Sequence, residues 1–114
     1  MRVLVCGGRD FFNKELVFEV LDEIHLTTPI TLIIHGKAKG ADSLAHAWAE
    51  SRGVKSWGFP ANWDKWGKRA GAIRNHTMLV KGLPNLVVAF PGGSGTTMMV
   101  EMSEKAGVKV RKVK

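Results

Sequence analysis

The stretch Leu86–Ala106, LVVAFPGGSGTTMMVEMSEKA, decides how this chain folds. Its first five residues are apolar and rich in β-branched or aromatic types, the pattern of a strand covered on both faces. Pro91-Gly92-Gly93-Ser94-Gly95-Thr96 follows as a turn. Beyond it, Met99, Val100, Ser103 and Ala106 fall at helical spacing and share one side of a helix. The unit is therefore strand, glycine-rich turn, helix. A helix start leaves N–H groups unpaired at the positive end of the dipole. Glycines remove the Cβ atoms that would hold an anion away from those groups, so a phosphate can rest on the backbone. Each charge-assisted hydrogen bond of that kind is worth roughly 1.5–3 kcal/mol. The turn is not a P-loop, because no Lys follows its last glycine, and its G-G-x-G order is not G-x-G-x-x-G. Alone, it reads equally as a phosphate site or as a tight turn with no ligand.

The same unit recurs upstream. Arg2–Cys6 (RVLVC) reads as a strand, and Gly7-Gly8-Arg9-Asp10 as its turn. Asn13 is placed to cap a helix whose apolar side is Leu16, Val17, Val20, Leu21 and Ile24. The helix ends near Thr27, with Pro29 beyond. Thr31–His35 is a second strand, and Gly36-Lys37-Ala38-Lys39-Gly40-Ala41-Asp42 a second glycine-bearing turn. The next helix runs to about Arg52 on an apolar side of Ala41, Leu44, Ala45 and Trp48, and Gly53 stops it. Lys55–Phe59 is the third strand. Pro60–Ala70 is the longest irregular piece, with Trp63, Trp66 and three cations. A helix over about 71–81 follows, then a stop at Gly82-Leu83-Pro84-Asn85, the central unit, and an alternating edge strand over 108–113.

Five strands alternating with four helices predict an α/β fold, a Rossmann-like three-layer α/β/α sandwich with a mostly parallel five-stranded sheet. In such folds ligands bind beyond the carboxyl ends of the strands. The glycine turns, Arg9, Asp42, Trp63 and Arg74 all converge there.

Composition narrows the setting. The 114 residues suit one domain spanning 1–114, and 45% hydrophobic content suits a real core. No apolar run is long enough to cross a membrane, and the N-terminal apolar stretch is too short for a signal peptide. With one cysteine there is no internal disulfide, and a cytoplasmic location is expected. No cofactor is implied, and no His/Cys cluster has metal-ligand spacing. A formal charge of +7 favours a phosphorylated or polyanionic partner, although a basic surface can also serve only solubility.

Four blocks carry a resemblance: VLVCGGRDF at Val3–Phe11, HGKAKGAD at His35–Asp42, FPANWDKWGKRAGAIRN at Phe59–Asn75 and FPGGSGTTMMV at Phe90–Val100. In order and spacing they resemble the YspA-like (YAcAr) branch of the SLOG superfamily, which also holds the LOG lysine decarboxylase-like phosphoribohydrolases and DprA. The resemblance implies a Rossmann-like domain that binds a nucleotide or nucleotide-derived ligand, such as an ADP-ribose-like molecule. It would act as a sensor or processing domain, with a phosphate or ribose-phosphate on Gly92, Gly93, Gly95 and Thr96. It also implies self-association, with a homodimer as the expected form. LOG enzymes carry an acid about two positions after PGGxGT. Here Thr97, Met98 and Met99 stand there, and the first acid is Glu101.

The expected ligand-binding set is Gly7, Gly8, Arg9, Asp10, His35, Gly36, Gly40, Ala41, Asp42, Trp63, Arg74, Asn75, Pro91, Gly92, Gly93, Ser94, Gly95, Thr96 and Thr97. Arg74 would take a phosphate bidentately and Asn75 a ribose hydroxyl or base edge, unless they are a surface Arg and a helix cap. Asp42 is a general base, a ribose ligand or an N-cap. His35 is a ligand contact or a satisfied semi-buried histidine. Trp63 stacks on a base or packs its loop, and Trp66 is the weaker stacking candidate. Trp48 and Trp57 read as structural, and Cys6 as a small buried filler. Candidate catalytic groups are Asp42, Arg74 and Glu101. The alternatives to a binding domain are a hydrolase of an N-glycosidic or phosphate bond, and a DprA-like nucleic-acid binder. The last is less favoured because no nucleic-acid motif is present.

Overall fold

The computed structural model describes residues 1–114 as a five-stranded, all-parallel sheet flanked by helices on both faces, a Rossmann-like α/β fold. The elements are β1 (Arg2–Cys6), α1 (Lys14–Thr27), β2 (Leu32–His35), α2 (Ala41–Arg52), β3 (Lys55–Gly58), α3 (Trp63–Trp66), α4 (Ala70–Gly82), β4 (Leu86–Ala89), α5 (Ser94–Lys105) and β5 (Lys109–Lys112). A 3-10 turn, Gly67–Arg69, joins α3 to α4. The strand order is β3-β2-β1-β4-β5, so β1 and β4, adjacent in the sheet, lie where the chain reverses its direction of travel across it. That reversal opens a crevice at the carboxyl ends of those two strands.

Alternation along each strand sorts the core into two layers. Val3, Val5, Ile33, Val88 and Phe90 pack under α1 and α2 with Val17, Leu21, Ala45 and Trp48. Leu4, Cys6, Ile34, Val87 and Ala89 pack under α4 and α5 with Met78 and Met99. The caps follow the sequence: Asn13 Oδ1 accepts from the Leu16 N–H at 3.1 Å, and Gly53 ends α2 at φ +68. No helix is long and apolar enough to cross a membrane.

Three expectations need correction. The 60–70 segment is not wholly irregular, since Asn62 Oδ1 caps a single helical turn at Trp63–Trp66, giving five helices rather than four. No apolar period announces that turn, because none of its residues is buried. Ala106 is exposed at the C-cap of α5 and does not extend its packed side. Trp57, read as structural beside Trp48, is not packed away as Trp48 is but 42% exposed. On the α4–α5 face, α4 packs over β1 and β2, and edge strand β3 projects beyond it.

Candidate functional site

A cavity of about 730 Å³ lies over the carboxyl end of the sheet, within the size range of small-ligand sites. The turn after β1 supplies Gly7, Gly8, Arg9 and Asp10, and the start of α5 supplies Gly93, Ser94, Gly95 and Thr96. Asp42 of α2, Trp63 of α3, and Arg74 and Asn75 of α4 close the ring, with Lys68 at the 3-10 turn.

The glycines that sequence treats alike divide into two kinds. Gly40 has φ +76, and a Cβ there would run into the Gly8 and Arg9 carbonyls. A Cβ on Gly7 would lie 2.5 Å from that of Ala41, and one on Gly92 would strike Thr96 Oγ1 and lie 2.7 Å from the Gly8 nitrogen. These glycines let the turns after β1, β2 and β4 touch. Gly8 laces them, its N–H donating to the Pro91 carbonyl at 2.9 Å and its carbonyl accepting from Ala41 N–H at 3.2 Å. Gly93 and Gly95 are different. Neither has positive φ, and a Cβ on either would meet nothing within 4 Å. Both line the cavity, where a side chain would take up open space.

Gly93 is the N-cap of α5 and offers no side chain to it, and the first intrahelical donor of the helix is Thr97 N–H, bonded to the Gly93 carbonyl at 3.1 Å. The N–H groups of Ser94, Gly95 and Thr96 thus present the positive end of α5. Around them stand three cations, Arg9, Lys68 and Arg74, against two acids, Asp10 and Asp42.

Arg74 is fixed from two sides. Its Nη1 donates to the Gly36 carbonyl at 2.6 Å and its Nε to Asn75 Oδ1 at 3.0 Å. Asn75, 4% exposed, donates in turn to the Gly95 carbonyl at 3.4 Å. It lies in the second turn of α4 and does not cap it. Burial lowers the Arg74 pKa and the charge of Arg9 adds to this, while Asp42 opposes them. Two guanidiniums that repel each other over one carboxylate make a place an anion would relieve.

Asp42 is 7% exposed and does not cap α2; Gly40 occupies that position. Its Oδ2 accepts from the N–H groups of Gly36 at 2.9 Å and Ala38 at 3.4 Å, which holds the turn after β2 in shape. Burial raises its pKa, and those two amides pull the other way. Cys6 lines the floor, and burial, aided by Asp42, pushes its thiol up to about 12, so it is no nucleophile at neutral pH.

Several expected site residues lie elsewhere. His35 is 5% exposed and lies off the cavity wall. Lys37 N–H donates to its Nδ1 at 3.1 Å, which leaves Nε2–H to donate to Ser56 Oγ at 2.9 Å. The Ser56 hydroxyl then donates to His46 Nδ1 at 2.9 Å, and His46 Nε2 faces Glu50 Oε1 at 2.6 Å. Burial, then His46 and Lys37, lower the His35 pKa to about 4. His35 is therefore a satisfied buried histidine that pins the Gly36–Gly40 turn from below. Gly36, Gly40, Ala41, Pro91 and Gly92 shape the walls from behind, and Thr97 turns its hydroxyl back to the Gly93 carbonyl at 3.2 Å. Glu101 is exposed and does not line the cavity; at about 100° per residue it lies roughly 200° around α5 from Met99, which does. Trp63 faces the cavity and is 48% exposed, with Arg9 Cζ 5.8 Å from its ring centroid. Sequence reasoning missed Lys68, Met98 and Met99, the last because the spacing assigns its side of α5 wholly to the core.

Fold and cavity together define a Rossmann-like domain with an anion-attracting crevice at its switch point. The chain belongs to the YspA, cpYpsA-related SLOG family (YAcAr), whose profile matches residues 1–66. It is similar to the Gene 61 protein of Mycobacterium phage D29, at 35% identity over 96% of this chain and 93% of that protein. Among solved structures it is similar to DNA processing protein A (DprA) of Streptococcus pneumoniae, with TM-score 0.79 and 20% identity. That likeness takes in 99% of this chain but only 50% of DprA. The Moco carrier protein of Chlamydomonas reinhardtii is similar at TM-score 0.62 and 16% identity, over 98% of this chain and 75% of that one. At these identities the two structures show the fold alone.

Proposed function

We propose that the protein binds a nucleotide-derived, phosphate-bearing ligand in the crevice between the β1 and β4 turns, as a sensing or processing domain. The observation that carries this is the pair Gly93 and Gly95. Neither has positive φ and a Cβ on either would meet nothing within 4 Å, yet both open the N-terminus of α5 to the cavity. The phosphate sits on the amides of 94–96. Arg74 is the fixed charge partner, and Arg9 and Lys68 are the outer ones. Trp63, which lines the cavity with Arg9 over its ring, is the stacking group for a base.

A binding role fits better than hydrolysis. Asp42, the buried carboxylate of the cavity, is already held by two amides, and Glu101 is remote. The test is a thermal-shift and calorimetric screen with ADP-ribose, AMP, ribose 5-phosphate and inorganic phosphate. A nucleotide that binds stabilises the fold by mass action, by about 2.7 kcal/mol at a hundredfold excess over Kd, and so raises the melting temperature. Phosphate alone stabilising as well as the nucleotides would refute base recognition. Native mass spectrometry of the same samples tests self-association, where a strictly monomeric mass at high micromolar concentration counts against the dimer.

A further inference from the structure

We propose a second binding site, which shares only Arg74 with the crevice: an aromatic, cationic groove beside β3 that takes the unpaired bases of single-stranded nucleic acid. The groove has about 370 Å³ and is lined by Trp57 and Phe59 of the β3 segment, Asn62 and Trp66 of the α3 turn, and Arg74 and Lys81 of α4. No acidic residue lines it.

Topology produces the groove. β3 is an edge strand, and the helix on that face, α4, packs over β1 and β2. Trp57 is left 42% exposed against Phe59, ring centroids 4.5 Å apart, and Trp66 is 38% exposed across the groove on a turn with no buried residue. Two half-open indole faces are costly to leave in water and belong to binding surfaces. The surrounding charge fixes the kind of partner. Lys65 Nζ lies 4.9 Å and Arg69 Cζ 5.9 Å from the Trp66 ring centroid, and Lys81 stands at the other end of the groove. A phosphate at the edge of a base stacked on Trp66 would meet Lys65 and Arg69 together. Stacking on aromatic faces combined with cations along the backbone is how single strands are held without sequence readout. A duplex hides its base faces, and an acidic peptide has no ring to stack, so neither uses both features. The net charge of +7 supplies the long-range attraction.

The probe is an oligo(dT) single strand of about 20 nucleotides, read by quenching of the protein's own tryptophan fluorescence. Quenching is expected at low salt, with log K falling against log salt at a slope of about −2 if Lys65, Arg69 and Lys81 each neutralise one phosphate. Trp66→Ala, at a position outside the core, is expected to weaken binding about tenfold or more, as is Trp57→Ala. Lys81→Glu, on the exposed end of α4, provides an independent variant should Trp57→Ala fail to fold. Gly93→Asp, which blocks the crevice, is expected to leave oligo(dT) binding unchanged, so the two sites fail separately. Three results would overturn the proposal: no quenching at low salt; unchanged affinity in Trp66→Ala and Lys81→Glu; or equal binding of duplex DNA or polyglutamate.

Discussion

Gly93→Asp separates stability from binding in opposite directions. Gly93 is the N-cap of α5, at φ −95, a value any residue adopts, and an added Cβ meets nothing. The fold therefore tolerates the side chain. An Asp there narrows the unfolded ensemble, worth about 0.4–1 kcal/mol. Its carboxylate caps the α5 amides for a few tenths of a kcal/mol over glycine and complements the helix dipole for about 0.3–1 kcal/mol. Together the gain is about 1–2 kcal/mol. With an unfolding entropy near 2.1 cal/mol/K per residue over 114 residues, that raises Tm by about 4–8 °C. The same carboxylate takes the place of a bound phosphate. Losing two charge-assisted hydrogen bonds at roughly 1.5–3 kcal/mol each removes at least about a hundredfold in affinity. Differential scanning calorimetry gives the first quantity and isothermal titration with the best nucleotide of the screen the second. If Tm rises and affinity holds, the Pro91–Thr96 turn is only a turn. If Tm falls by several degrees, the account of Gly93 as conformationally free is wrong.

Arg74→Ala is expected to weaken the same ligand by about 1.5–3 kcal/mol, read by titration; unchanged affinity would remove Arg74 from the site. Gly40→Ala is expected to destabilise by more than about 2 kcal/mol, from strain at φ +76 plus collision with the Gly8 and Arg9 carbonyls, read by urea unfolding; a neutral result would contradict the tight contact of the turns. His35 should make stability fall in acid. Its folded pKa of about 4 lies below the ordinary 6.5, so the unfolded chain takes up a proton first as pH drops. Its contribution is complete above pH 6.5, is lost progressively from 6.5 to 4, and totals on the order of 3 kcal/mol. Asp42, raised in the folded state, acts oppositely as pH falls, so the test is the difference between parent and His35→Gln unfolding across that window. Parallel pH profiles would refute the assignment.

The sheet was legible because both of its signals are local. Buried strands such as Val3–Cys6 and Leu86–Ala89 are apolar without interruption, and glycine turns follow three of them. What stayed hidden depends on three-dimensional neighbours. Gly92 and Gly93 are adjacent and chemically identical, yet one faces Thr96 and Gly8 while the other faces open space. Asp42 reads as a cap because it starts a helix, but its acceptors' partners lie upstream at Gly36 and Ala38. His35 ends a strand like a site residue, and only the positions of Ser56 and His46 across β3 and α2 reveal what occupies it. Trp57 reads as structural; its exposure follows from strand order, which no single segment encodes.

The lacing of the three turns through Gly8 bears on how such a protein can change over evolutionary time. The inner wall of the crevice is backbone against backbone, held by the Gly8 bonds to Pro91 and Ala41 and by the close approaches of Gly7, Gly40 and Gly92. At the rim the exposed side chains include Arg9, Trp63, Lys68 and Ser94. Drift at those four positions can retune which molecule is held without reshaping the cradle. Drift at the interlocking glycines cannot be offset by any rim residue. The scaffold thus divides its sequence into a part free to explore new ligands and a small part whose alteration would dismantle the wall itself.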